Sequence, residues 1–278
     1  MNESLLKFAR TFLFVPASRP DRYGKALASA ADAVVFDLED AVAAADKDDA
    51  RRALIEAWAQ LSAVGKGVMI RISSPDSSEG QKDLQMLAQL QSTPGIMVAK
   101  AESGDTLRQV RAACSDAPLI PLVESARGYQ ALADIAGAEG VVRLAVGHID
   151  FMAETGIQCS ENQIELLPLR FAVTMQSALH RLAGPVDGVT VEINDAGKVR
   201  ADALMARRMG FRGKLCIHPR QVAEVRAVFT PSEEEVDWAR RVIEGSERSG
   251  GAAFQLDGQM VDMPVVIQAQ RILEYARG

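Results

Sequence analysis

The 278 residues are 48% hydrophobic and 24% charged, the proportions of a folded globular chain and not of a disordered one. The length suits one large α/β domain or two small ones. A net charge of −6 argues against a general nucleic-acid surface, which needs clustered Lys and Arg, but leaves room for a local basic pocket that takes a small anion. Cys114, Cys159 and Cys216 are odd in number, far apart and without metal-ligand spacing, which favours a reduced, cytoplasmic setting. The stretch "LLKFARTFLFVPA" has the outline of a signal peptide, yet Arg10 interrupts its apolar run. No segment approaches the ~18–20 apolar residues that span a bilayer.

From the N-terminus, short apolar runs recur at 11–17, 33–40, 67–73, 95–101, 118–125, 141–150, 186–193 and 213–219. Each is nearly continuous in apolar character, the mark of a strand covered on both faces. Amphipathic, alanine-rich stretches such as 48–61, 81–91 and 167–183 separate them. Eightfold alternation of strand and helix predicts an α/β protein with a (β/α)8 TIM barrel. An open doubly wound sheet is the competitor, but it normally carries a glycine-rich loop after the first strand, where this chain reads "VPASRPDR". Residues 1–230 are assigned to the barrel and 231–278 to an appended arm. The arm reads as a helix ("PSEEEVDWARRVIEGSERSG"), a hairpin with an Asp-Gly turn ("FQLDGQMVD") and a second helix ("MPVVIQAQRILEYA").

Chemistry in such a barrel gathers where the strands end. The second run closes on Asp37, Glu39 and Asp40, the third carries Arg71, and the fourth has Lys100 and Glu102. Glu124 ends the fifth, His148 and Asp150 the sixth, and His218 the eighth. Glu124 and Asp150 offer two hard oxygen donors from adjacent strands, a set that suits Mg²⁺; each alone also reads as a solvated loop acid. Arg71 fits either a buried salt bridge to Asp37, Glu39 or Asp40, or a fork for a substrate oxygen, and both can hold. By pattern alone His218 reads as a loop histidine, Lys25 as a surface lysine and Cys216 as a core residue.

The motifs "RTFLFVPASRPDRYGKA", "ADAVVFDLEDAV", "IRIS", "VAKAES", "PLVESARG", "VGHIDF", "GFRGKLCIHPRQV" and "QMVDMPVVIQAQRIL" occur in an order that resembles the citrate lyase β-subunit-like family. That family comprises acyl-CoA carbon–carbon lyases acting on malyl-, citramalyl- or citryl-CoA, and the likeness covers nearly the whole chain. The resemblance implies a Mg²⁺-dependent barrel, a homotrimer or a multiple of one, with arms exchanged between subunits, and an acyl-CoA substrate. It places Glu124 and Asp150 at the family's metal ligands and Arg71 at its substrate arginine. Phe14, Arg22 and Lys25 fall in the motif that contacts coenzyme A, and Ile217 and His218 in a loop lining the pocket. It also singles out Asp262, which pattern alone leaves as a surface acid near a turn, as the arm's catalytic acid or base at a neighbouring active site. Asp37, Glu39 and Asp40 are expected to support Arg71.

Three positions depart from the family pattern: Ala17 for a frequent glycine, Ala99 for a frequent proline, and His148 for a frequent acid. The last is expected to put an imidazole beside the metal. The expected reaction is reversible cleavage of a carboxylated 3-hydroxyacyl-CoA to a 2-oxo acid and an acyl-CoA. The alternatives are a thioesterase acting on malyl-CoA-like esters and a β subunit of a multi-subunit citrate lyase.

Overall fold

The structure, a computed structural model, describes residues 3–277. It falls into two units that divide between Ala227 and Val228. In chain order the elements begin with α1 (Glu3–Phe8), β1 (Thr11–Pro16), α2 (Tyr23–Leu27), β2 (Ala33–Asp37), α3 (Lys47–Ser62), β3 (Gly67–Ile72) and α4 (Ser78–Leu87). They continue with β4 (Gly95–Val98), α5 (Gly104–Ala113), β5 (Leu119–Val123), α6 (Ala126–Gln130), α7 (Leu132–Ala136), β6 (Ala145–Val146) and α8 (His148–Thr155). Then come α9 (Leu167–Leu179), β7 (Val186–Asp187), α10 (Ala196–Arg208), β8 (Gly213–Cys216) and α11 (Pro219–Phe229).

β1 to β8 pair in sequence order, all parallel, and β1 returns to β8 through Phe12 opposite Leu215, which closes the sheet. This is a (β/α)8 barrel. Alternate residues of a strand face opposite ways. Phe12, Val35, Met69, Met97, Leu122 and Leu215 share the inner face and fill the barrel with an apolar core, which Leu6 of α1 closes from one end. Two residues further along their strands, the same alternation carries Phe14, Asp37, Arg71 and Glu124 to the inner face above that core. The polar site is therefore a continuation of the core pattern.

Several segments differ from expectation. The apolar run 141–150 is a strand only at Ala145–Val146, and His148 opens helix α8, so Asp150 stands in a first helical turn and not on a strand. Apolar character reports burial here, not conformation. The run 186–193 likewise narrows to Val186–Asp187, since Thr190 is drawn off by Gln221 and Asp202.

The second unit contains α12 (Glu233–Arg248), β9 (Phe254–Leu256), β10 (Gln259–Val261) and α13 (Met263–Arg277). Ser232 and Glu235 form a reciprocal capping box at the start of α12. Asp257 (φ 51°) and Gly258 (φ 79°) supply the left-handed pair that turns β9 antiparallel onto β10. Ala239, Val242, Val261, Val266 and Ala269 give this unit a core of its own. Asp262, half-buried, lies immediately before α13, and its carbonyl accepts from Val266 N–H at 3.1 Å. Among the described residues no helix is long and apolar enough to cross a membrane.

Candidate active site

Asp37 and Arg71 are register partners on β2 and β3. The guanidinium grips the carboxylate with two bonds, Nε to Oδ1 at 2.7 Å and Nη2 to Oδ2 at 2.6 Å. The same carboxylate accepts the backbone N–H groups of Glu39 and Ala41 at 2.9 and 3.2 Å, so it is held from the loop side as well. Arg71 Nη1 lies 3.3 Å from Glu39 Oε2, and its guanidinium carbon stands 4.7 Å from the centre of the Phe14 ring. Burial works against the Arg71 charge, but the Asp37 fork with Glu39 and Glu124 outweighs it, and its pKa lies above the ordinary arginine value. Asp40 does not join this grip. Its side chain is exposed, 3.8 Å from the Lys100 ammonium.

Glu124 follows β5 and is 3% exposed. Its Oε1 accepts the Lys100 N–H at 2.7 Å, the one hydrogen bond made by its side chain among the described residues. Burial pushes its pKa up to about 8, and the neighbouring carboxylates of Glu39 and Asp150 add to the rise against the pull of Arg71 and the Lys100 N–H. Beside this carboxyl group, a Cβ on Gly147 would sit 2.3 Å from Glu124 Oε2, so the glycine clears the space next to the unclaimed oxygen. Apart from exposed Asp40, the site sets the cations Arg71 and Lys100 against Asp37, Glu39, Glu124 and Asp150, an excess of two negative charges once Glu124 ionises. This donor set fits a divalent ion, and the hard oxygens of Glu124 and Asp150 suit Mg²⁺. Among the described residues no group of three or more His, Cys, Asp or Glu is placed to hold a metal ion. An ion held by two carboxylates alone would have coordination positions left for water.

A cavity of about 620 Å³ opens at the ends of β1 and β8, lined by Phe14, Arg22, Lys25, Ile217 and His218 among others. The three residues expected at coenzyme A and the two expected in the pocket loop thus line one cavity. Arg22 and Lys25 are exposed at it, the second on α2, whereas Phe14 is half-buried and reaches Arg71.

His148, expected beside the metal, packs against the residue that follows β7. The ring is buried and turned toward β7, where a Cβ on Gly188 would lie 2.1 Å from Nδ1, and that nitrogen has no hydrogen-bond partner among the described residues. Burial lowers its pKa to about 4, with Lys214 and Arg170 acting in the same direction against Asp187 and Asp202. Beyond it lies a buried ion cluster that the sequence reading missed: Asp187 between Arg170 Nε at 2.8 Å and Lys214 Nζ at 3.0 Å. Burial would raise the Asp187 pKa, and the two cations outweigh it and hold it well below the usual range. Charged residues inside the apolar runs "VDGV" and "GKLC" were the available signal. The other departures are conformationally mild. Ala17 has no left-handed backbone, and Ala99 N–H donates to Ile72 O at 3.1 Å, a bond that proline lacks.

A family model described as HpcH/HpaI aldolase/citrate lyase matches residues 10–219. A citrate lyase subunit beta-like protein of Mycobacterium tuberculosis is 36% identical over 95% of this chain and 94% of its own length. A (3S)-malyl-CoA thioesterase of Cereibacter sphaeroides is 32% identical over 96% of this chain and 94% of its own. Among solved structures, protein CitE of Mycobacterium tuberculosis in complex with magnesium, acetoacetate and coenzyme A superposes with a TM-score of 0.80 at 34% identity, covering 97% of this chain and 98% of that one.

Proposed function

The chain belongs to the HpcH/HpaI aldolase/citrate lyase family, and we propose that it is a Mg²⁺-dependent carbon–carbon lyase cleaving citramalyl-, malyl- or citryl-CoA to a 2-oxo acid and an acyl-CoA. One observation carries the reading: Phe14 both lines the 620 Å³ cavity and underlies the Arg71 guanidinium. A long thioester seated in that cavity therefore ends beside the arginine and the carboxylates.

In this reading Arg22 and Lys25 meet phosphates at the cavity mouth, and Ile217 and His218 line its wall. Glu124 and Asp150 hold Mg²⁺, which the related CitE structure contains. Bound there, the ion supplies Lewis-acid polarisation of the substrate's carboxylate and hydroxyl oxygens. Cleavage leaves an electron pair on the acyl-CoA fragment, delocalised onto the thioester oxygen. Arg71, locked in rotamer by Asp37, meets that charge without having to reorganise. Glu39 and Asp40 complete the support, the first directly and the second through Lys100. Asp262, brought by the arm 231–278 of a neighbouring copy in a homotrimer or multiple of one, protonates the released carbon, while the substrate hydroxyl gives up its proton to water as its oxygen becomes the carbonyl of the 2-oxo acid. A cytoplasmic setting goes with three free cysteines.

The second reading is hydrolysis of the thioester, and the relative named a malyl-CoA thioesterase favours it. The deciding experiment incubates the isolated protein with citramalyl-, malyl- and citryl-CoA, with and without Mg²⁺. Pyruvate, glyoxylate or oxaloacetate formed only with Mg²⁺ supports the lyase. Free coenzyme A without a 2-oxo acid replaces it with the thioesterase. No turnover until acyl-carrier and partner subunits are added makes the chain a citrate lyase β subunit. Asp262→Asn should fold and bind metal yet lose most turnover, and full turnover would remove Asp262 from the mechanism.

A further inference from the structure

Lys100 follows β4 with φ 48°, a left-handed backbone that a residue with a side chain keeps only when its surroundings hold it there. The two ends of this residue make different contacts. Its N–H donates to Glu124 Oε1 at 2.7 Å, and its ammonium lies 2.6 Å from Glu39 Oε1. The other oxygen of Glu39 faces Arg71 Nη1 at 3.3 Å. A single residue thus joins the carboxylate assigned to the metal and the carboxylate beside the substrate arginine.

We propose that Lys100 is a positioning residue that sets Glu124 through its peptide N–H and Arg71 through its ammonium and Glu39; this rests on the reading of Glu124 as a metal ligand. The backbone explains the first half. Ala99 N–H is tied to Ile72 O at 3.1 Å and Ala101 N–H to Leu122 O at 3.2 Å, so both neighbouring peptides are pinned to the barrel. A residue that rejects left-handed φ relaxes by turning the peptide between them, which takes the N–H off Glu124. The charges explain the second half. Without the ammonium, Glu39 keeps Arg71 as its one side-chain cation among the described residues and draws it from the substrate side.

Three substitutions separate the halves. Lys100→Gly keeps the N–H, adopts left-handed φ freely and loses the ammonium. Lys100→Val loses both features, and Lys100→Arg keeps both. Mn²⁺ binding to the substrate-free full-length protein, followed by electron paramagnetic resonance, should stay within about threefold of wild type for Lys100→Gly and weaken about tenfold or more for Lys100→Val. Lys100→Ala, intermediate in its tolerance of left-handed backbone, should fall between them and stands in if the valine variant does not fold. With the thioester that the wild type turns over, Lys100→Gly should lower kcat about tenfold with KM little changed, and Lys100→Arg should restore most of it. In a Glu39→Gln background, removing the ammonium should cost nothing further, a result that a merely structural lysine does not give.

Wild-type Mn²⁺ affinity in the valine or alanine variant overturns the peptide role. Wild-type kcat in Lys100→Gly, or an additive loss in the Glu39→Gln background, overturns the ammonium role. Glu124→Gln is the control. If it binds Mn²⁺ like wild type, the metal reading itself falls; if it loses Mn²⁺ while Lys100→Val does not, the Lys100 role alone falls.

Discussion

Asp37 and Arg71 face each other across β2 and β3 as register partners, and the guanidinium spans the carboxylate with bonds of 2.7 and 2.6 Å. Asp37 is 1% exposed, so the pair is buried at the end of the barrel where the other site carboxylates converge. Two consequences separate cleanly. A buried ion pair that loses one partner strands the other, at a cost of about 3–5 kcal/mol. A guanidinium also does what an ammonium does not: it forks a carboxylate and stacks on an aromatic face at once.

Asp37→Asn should therefore lower the melting temperature by many degrees. Arg71→Lys should retain most of the stability and lose turnover about 10²-fold or more, since the charge remains but its orientation over Phe14 does not. Thermal unfolding and steady-state kinetics on the two variants check this. Equal turnover in wild type and Arg71→Lys would make the arginine purely structural.

Gly147 offers a test that leaves every charged residue in place. Its φ of −106° is ordinary for any amino acid, so an alanine there meets no backbone penalty. The new methyl would instead lie 2.3 Å from Glu124 Oε2 and 2.6 Å from Glu124 Cβ. Gly147→Ala should weaken Mg²⁺ or Mn²⁺ binding by about tenfold while leaving coenzyme A binding, proposed for the cavity lined by Arg22 and Lys25, little changed. Calorimetric titration of each ligand separates the two, and unchanged metal affinity would show that Glu124 Oε2 is not a ligand.

How much of this was legible beforehand follows from what kind of information each residue carries. Asp37, Arg71 and Glu124 could be read because each continues an apolar strand, and period-two alternation carries it to the face its strand already buries, whereas Phe14 was singled out by the family resemblance alone. Asp150 was legible as a residue but not as to its element, because burial alone does not separate the end of a strand from the first turn of α8. The left-handed backbone of Lys100 and the clearance at Gly147 could not be read at all. Each is set by a partner, Glu124, that lies 24 or 23 residues away in the chain. His148 was singled out because it replaces a frequent acid of the family; the side on which its buried ring packs is set by Gly188, 40 residues away, which leaves room for the ring on the β7 side.

That burial gives His148 a measurable signature. Its pKa is lowered to about 4 from the ordinary 6.5, so the unfolded chain takes up the proton first as pH falls. The stability tied to the neutral ring is present above pH 6.5 and is lost between about 6.5 and 4. The loss is of order 3 kcal/mol, and His148→Gln should remove that part of the acid sensitivity. An NMR titration of the ring protons should show no protonation of His148 at pH 6. A midpoint near 6.5 would place the ring in solvent.

Glu124 should show the reverse sign. In the metal-free protein its pKa is raised from 4.5 to about 8, so the folded state holds a proton that the unfolded chain has already released. Stability is then whole below pH 4.5 and falls as pH climbs toward about 8. At neutral pH the accumulated cost is roughly 2–4 kcal/mol. Glu124→Gln, which keeps an acceptor for the Lys100 N–H but never ionises, should melt higher than metal-free wild type at pH 8 and alike at pH 4. Mg²⁺ should close the gap at pH 8 by raising the wild type alone, because binding to the ionised carboxylate releases the proton and adds stability by mass action. Melting curves at both pH values, with EDTA and then with excess Mg²⁺, test both steps. A variant no more stable than wild type at pH 8 in EDTA would mean that the carboxylate already has its counter-charge from Arg71.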